Sequence, residues 1–138
     1  MTLHGFVATL VRTAREKGFA AYVGDGNNRW PAVHRFDVAR IYRLALEKGT
    51  SGSRFHGVAD EGIAVREIAE AIGRRLNVPA VSKTAEEAAA LLGFIGHVLA
   101  MDGAASSALT QERLGWHPTG PGLIADLDQG HYFDTRPR

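Results

Sequence analysis

The chain has 138 residues, 45% hydrophobic and 22% charged, with a net charge of +1 and no cysteine. This composition suits one globular domain with its own core, gives no basic face for nucleic acid, and excludes disulfide frameworks, thiolate zinc sites and cysteine nucleophiles. No apolar run approaches the roughly 18 residues that span a bilayer, and Met1–Gly5 lacks the layout of a signal peptide. No membrane partner and a cytoplasmic location are therefore expected.

Thr2 is positioned to cap a first helix over Leu3 to Lys17. Phe6, Val7, Leu10, Val11 and Ala14 follow helical spacing there, and Gly18 stops it. Phe19 to Val23 reads as a short strand. The Gly24-Asp25-Gly26-Asn27-Asn28 run that follows suits a tight turn, since Gly and Asn tolerate positive φ. Trp30 to His34 is then extended, with Pro31 keeping Trp30 out of the helical region. Asp37 is expected to cap a helix to about Glu47, its inner face formed by Val38, Ile41, Tyr42, Ala45 and Leu46. Arg40 and Arg43 point away from that face.

Gly49 to Ser53 is a loop, and Arg54 to Ala59 reads as a strand ended by Asp60-Glu61-Gly62. Val65 to Leu76 is an amphipathic helix with Val65, Ile68, Ala69, Ile72 and Leu76 on one side. Val78 to Val81 suits a short strand. Thr84-Ala85-Glu86-Glu87 has the form of a capping box, which predicts a helix to about Leu92. Gly93 separates it from a second piece, Phe94 to Met101. Ser106 or Ser107 caps a helix ending at Leu114, with Gly115 as its stop, and Pro121 opens a last helix from Gly122 to about Gly130. Helices mixed with three or four short strands indicate an α/β class. A doubly wound sheet needs more strands, so the expectation is part of one, carried as a single unit over residues 1–138.

Several residues admit a structural and a functional reading. Arg29 is a ligand contact or a solvated turn charge, and Trp30 a ligand wall or a packed aromatic. His34 reads most simply as a satisfied strand histidine, with no carboxylate at a useful sequence spacing. The six histidines stand singly, at 4, 34, 56, 97, 117 and 131, and predict no metal site. His56 with Asp60 and Glu61 imitates an acid/base cluster, but solvation at a strand end accounts for it. Leu114-Gly115-Trp116 is a helix stop with a packed aromatic, and Ser106-Ser107 lacks a nucleophile-elbow context.

Taken together, these segments resemble the C-terminal half of extended short-chain dehydrogenase/reductases, the NAD(P)-dependent epimerase/dehydratase family. His4-Gly5-Phe6-Val7 with its helix is similar to the segment after that family's active-site loop, and Tyr22-Val23-Gly24-Asp25-Gly26 to its next strand and turn. Val33-His34-Arg35-Phe36-Asp37-Val38-Ala39 resembles the pattern Val-His-Val-x-Asp-x-Ala. Phe55-His56-Gly57-Val58 with Arg66-Glu67-Ile68-Ala69 resembles the last sheet strand and its helix. Ala108 to Trp116, Pro118 and Gly122 to Phe133 resemble the closing segment.

The resemblance implies a Rossmann-type fold, a small-molecule substrate such as a nucleotide sugar, and NAD or NADP in complete relatives. It also implies a substrate role for Arg29, flanked by Asn28 and Trp30, with His34 on the same segment. Arg29 sits about one position from the family's diphosphate-pairing Arg, whose guanidinium fork suits that ligand.

The family's other machinery is not matched. No Gly-x-Gly-x-x-Gly or Gly-x-x-Gly-x-x-Gly turn occurs; Gly93-Phe94-Ile95-Gly96 has Leu99 where the third Gly would stand. The catalytic Tyr-x-x-x-Lys is also missing, because Tyr22, Tyr42 and Tyr132 are followed four residues on by Gly26, Leu46 and Arg136. No catalytic, cofactor-binding or metal residue is therefore assigned, and the chain alone is expected to be inactive. The alternatives are a stand-alone ligand-binding or homodimerising module, since unpaired strands leave open edges, or a truncated remnant.

Overall fold

The structure, a computed structural model, describes residues 6–130 and 133. The chain runs through α1 (Phe6–Lys17), β1 (Ala20–Val23), β2 (Arg29–Ala32), α2 (Arg35–Lys48), β3 (Asp60–Ala64) and α3 (Val65–Leu76). It continues through β4 (Ala80–Lys83), α4 (Ala85–Leu92), α5 (Phe94–Leu99), α6 (Ala108–Leu114) and α7 (Leu123–Asp128). Over the described residues this is the expected α/β, helix-rich fold with four short strands. Thr2 as the cap of α1, and Tyr132 and Arg136, lie outside the described residues.

The strands form two pairs. β1 and β4 are parallel, with Ala20 opposite Ala80 and Val23 opposite Lys83. β2 and β3 are antiparallel, with Arg29 opposite Ala64 and Trp30 opposite Ile63. Their register is irregular between Trp30 and Ala32. Pro31 stands at that irregularity and has no N–H to give a ladder.

α3 is the hub. Its apolar positions repeat at helical spacing, and Val65, Ile68, Ala69, Ala71 and Ile72 are buried. Around them pack Leu10, Val11 and Ala14 of α1, Ala20 of β1, Ile63 of β3, Leu99 of α5, and Leu123 and Leu127 of α7. A second cluster, Ile41, Leu114 and Trp116, lies between α2 and α6, with Val33, Leu44, Ala45 and Phe55 against it. α4 begins with the expected capping box: Thr84 accepts the Glu87 N–H, and the Glu87 carboxylate accepts the Thr84 N–H. Gly96 permits the close turn from α4 to α5, because a Cβ there would run into the backbone of Ala88.

Several expectations are corrected or refined. Arg54 to Ala59 is not a strand. The Ala59 N–H reaches the Ala32 carbonyl, but the His56 N–H goes to the Thr110 hydroxyl and the Val58 carbonyl accepts from the Ser107 hydroxyl. α6 thus takes the bonds a sheet neighbour would make, and the strand falls one segment later, at β3. Tyr42 and Leu46 do not face inward; they are 72% and 89% exposed, because Ile41 and Ala45 carry the packing of α2. α7 begins at Leu123, and its first N–H is accepted by the distant Asp60 carboxylate at 2.9 Å. Ser107 stands at the N-cap of α6, but the Ser106 hydroxyl accepts the Ala108 N–H.

A further correction concerns Asp37. The N-cap of α2 is His34, whose Nδ1 accepts the Phe36 N–H at 3.2 Å. Asp37 lies inside the first turn with its side chain buried. Its carboxylate accepts the N–H groups of Thr119 (3.0 Å) and Gly120 (2.8 Å) and pairs with Arg40 at 2.7 Å. Its backbone carbonyl accepts the Trp116 indole N–H at 2.8 Å. Arg40, expected to point elsewhere, also donates to the His117 carbonyl.

Burial pushes the Asp37 carboxyl up, but the Thr119 and Gly120 N–H groups and the Arg40 guanidinium outweigh it. They hold it below the ordinary value of 3.8. A depressed folded-state pKa contributes stability that is complete above the unfolded value and is lost as pH falls through the folded one. Asp37→Ala should therefore lower stability by about 2 kcal/mol at neutral pH, since two backbone N–H groups and a partly exposed guanidinium lose their shared acceptor. The difference from wild type should narrow as pH falls below about 4. Urea melts of both proteins at neutral and acid pH check this, and a gap independent of pH would refute the assigned charge state.

Candidate functional site

The segment expected to meet a ligand runs from the β1–β2 turn into α2. The turn needs its glycines: Gly24 and Gly26 have φ of +61° and +70°, and a Cβ on Gly26 would overlap the Arg66 side chain. The chain then presents Asn28, Arg29 and Trp30 in succession at the start of β2.

The Asn28 side-chain amide donates to the Leu99 carbonyl at 2.8 Å and the Met101 carbonyl at 2.9 Å. It thereby pins the segment that leaves α5. Arg29 meets the next part of that segment. Asp102 Oδ1 accepts the Arg29 backbone N–H at 2.7 Å and its Nε at 3.2 Å, and Oδ2 accepts the remaining guanidinium nitrogen at 3.2 Å. Both side chains are about half exposed, at 54% and 53%. The pairing holds the Asp102 carboxyl below the usual carboxylate range and raises the Arg29 guanidinium. Two backbone bonds continue the strap, from Gly103 N–H to the Arg29 carbonyl and from Ala105 N–H to the Glu61 carbonyl. Residues 99–105 thus lie across the β2–β3 pair.

Trp30 does not share this surface. Its ring stacks on Phe6, with centroids 4.0 Å apart and planes 16° apart, and it packs against the main core cluster. Adjacent strand residues project to opposite faces, so Arg29 and Trp30 are separated by the strand itself. His34 is further along and mostly enclosed. Its Nδ1 is an acceptor, which places the ring proton of the neutral form on Nε2, 3.8 Å from Asp126 Oδ1 of α7. A carboxylate does therefore meet His34, from 92 positions away in the chain.

The four residues read from the sequence thus fall in three environments: Asn28 and Arg29 under the strap, Trp30 against α1, His34 against α7. Asp102 has the strongest claim as a partner that sequence reasoning missed. It lies 73 positions from Arg29 in no recognisable motif. A shallow depression of about 550 Å³ elsewhere, at the end of α3, is lined by Glu70, Gly73, Arg74, Asn77, Val78, Pro79 and Ala80. None of the four residues lines it. No group of three or more His, Asp or Glu side chains suited to a metal forms among the described residues. No helix among them is long and apolar enough to cross a membrane.

No family model matches the chain. It is 51% identical over 130 residues to an uncharacterised protein of Schizosaccharomyces pombe, covering 94% of this chain and 44% of that one. It is 43% identical over 122 residues to an uncharacterised protein of Saccharomyces cerevisiae, covering 88% and 41%. The chain thus spans less than half the length of the curated relatives it matches.

Among solved structures it is similar to DesIV, the dTDP-glucose 4,6-dehydratase of Streptomyces venezuelae, determined with NAD and TYD bound. The TM-score is 0.59 at 21% identity, over 86% of this chain and 36% of that one. Pal from Bacillus thuringiensis gives a TM-score of 0.64 at 16% identity, over 93% and 39%. RMD from Pseudomonas aeruginosa complexed with NADPH gives 0.56 at 17% identity, over 91% and 39%. The fold resembles part of the fold of short-chain dehydrogenase-type dehydratases and reductases.

The strap depends on Asn28. Asn28→Asp sets a carboxylate against two carbonyl oxygens and removes two donated bonds. It should cost about 1–3 kcal/mol and speed amide exchange over residues 99–105. Hydrogen exchange read by mass spectrometry checks this; unchanged protection there would mean the strap is held without Asn28.

Proposed function

We propose that the chain is the substrate-binding portion of an NAD(P)-dependent oxidoreductase, epimerase or dehydratase of the short-chain dehydrogenase type, inactive by itself. The observation that carries this reading is the fold likeness. Nearly the whole chain superposes on little more than a third of proteins that include a dTDP-glucose dehydratase and an NADPH complex. Relatives more than twice as long, at up to 51% identity, are consistent with a further half.

Among the described residues, the glycine turns at 24–26 and 93–96 do not suit a dinucleotide, which needs a glycine turn between a strand and a helix N-terminus. Gly24 and Gly26 lie between two strands, and Gly96 is pressed against the backbone of Ala88. In this reading NAD or NADP is held by the other half and supplies the hydride chemistry when bound. This portion contributes Arg29, an exposed guanidinium that pairs with an oxyanion of a small-molecule substrate, a nucleotide sugar being the favoured class. Asn28 holds the strap beside it, while Trp30 and His34 shape the segment from the core side.

A second reading, a homodimerising module, is favoured by the outer surface of α2. Phe36, Tyr42 and Leu46 are 65%, 72% and 89% exposed, an apolar set that a second copy or the other half would cover. Light scattering across a concentration series separates the two. A dimer abolished by Tyr42→Glu with Leu46→Glu supports the module.

Calorimetric titration of the pure chain tests the leading reading. dTDP and dTDP-sugars should bind, with binding at least tenfold weaker in Arg29→Ala, and NAD and NADP should give no heat. NAD(P)H turnover above contaminant level by the chain alone would overturn it.

A further inference from the structure

We infer that Asp102 is a displaceable counter-ion which holds Arg29 in position and yields it to a diphosphate ligand. The inference rests on the reading of Arg29 given under Proposed function and adds a residue and a mechanism to it.

The Asp102 carboxylate is bound as a small oxyanion would be. It takes one peptide N–H and two guanidinium nitrogens, all from Arg29. A phosphoryl oxygen pair satisfies the same donors, with more negative charge to offer them. The site is open, since both side chains are about half exposed. An exposed ion pair of this kind is weak, so exchange is inexpensive.

The backbone on either side of Asp102 is anchored independently of its side chain. Leu99 and Met101 are held through their carbonyls by Asn28, and Gly103 and Ala105 donate to Arg29 and Glu61 carbonyls. Asp102 therefore needs only a side-chain rotation to release Arg29, and the strap stays in place. Gly62 and Ala104 keep the floor beside the guanidinium low: the position of a Cβ on Gly62 is 3.2 Å from the Arg29 Cβ and 3.3 Å from the Ala104 Cβ. The result is a guanidinium that is oriented before the ligand arrives, which lowers the ordering cost of binding.

The test uses inorganic pyrophosphate and dTDP, titrated calorimetrically into wild type, Asp102→Asn, Arg29→Ala and the double variant at fixed ionic strength. Asparagine keeps an oxygen for the Arg29 N–H and removes the competing charge. Both ligands should bind about three- to fivefold tighter to Asp102→Asn than to wild type, the scale set by an exposed pair. The gain should vanish in the double variant. Thermal melts of Asp102→Asn within a few degrees of wild type verify that the strap persists; if they fall further, Asp102→Ser provides the second uncharged side chain.

Arg29-dependent binding that is equal or weaker without the Asp102 charge overturns the counter-ion while leaving Arg29 as a ligand contact. Binding that is absent from Asp102→Asn, or that survives Arg29→Ala, overturns both.

Discussion

The buried carboxylate of Asp37 joins the two parts of the chain that enclose the second core. A single side chain in the first turn of α2 satisfies the N–H groups of Thr119 and Gly120, while its own carbonyl receives the Trp116 indole. A charge this deeply buried is tolerated because two backbone N–H groups donate to it and Arg40 supplies the countercharge. The arrangement fixes where residues 116–120 cross α2. It thereby sets the approach of α7, which is capped by Asp60 and meets His34 through Asp126. Two carboxylates far apart in sequence thus position the C-terminal segment, and α7 adds Leu123 and Leu127 to the packing around α3.

What was legible in the sequence was local. α3 occupies the residues its apolar spacing indicates, because a 3.6-residue period needs no distant partner to be recognised. The capping box at Thr84 and the left-handed stop at Gly115 are likewise carried by residues a few positions apart. The failures share one cause. Arg54 to Ala59 has strand-like composition, but its hydrogen bonds were claimed by Ser107 and Thr110 about 50 residues later. Asp37 has the residue type of a helix cap, and only its tertiary partners move it inside the first turn. Tyr42 and Leu46 are apolar at helical spacing and yet lie outward, since periodicity identifies a stripe without saying what covers it.

The same limit applies to the candidate site. Asn28, Arg29 and Trp30 are consecutive, and the resemblance groups them around one substrate. In a strand, consecutive residues are the ones that cannot share a face. Trp30 belongs to the core beside Phe6, and Arg29 belongs to the strap. No spacing rule links Arg29 to Asp102, so the residue that most alters the electrostatics of the site was invisible until the chain folded.

This division has a consequence for how such a surface works. Trp30 and Ile63 anchor β2 and β3 to the α3 core from one side, so the Arg29 side of the same pair rests on a well-packed support. The strap is fastened to that support by backbone bonds at Arg29 and Glu61 and by the Asn28 amide. The Arg29 and Asp102 side chains remain half exposed above it. Packing cost is therefore confined to the buried face, where a change of shape is expensive, while the exposed pair can exchange partners without disturbing it. In the proposed exchange the strand fixes the Arg29 backbone and Asp102 orients its guanidinium, so the fork is already aimed when a ligand takes the carboxylate's place.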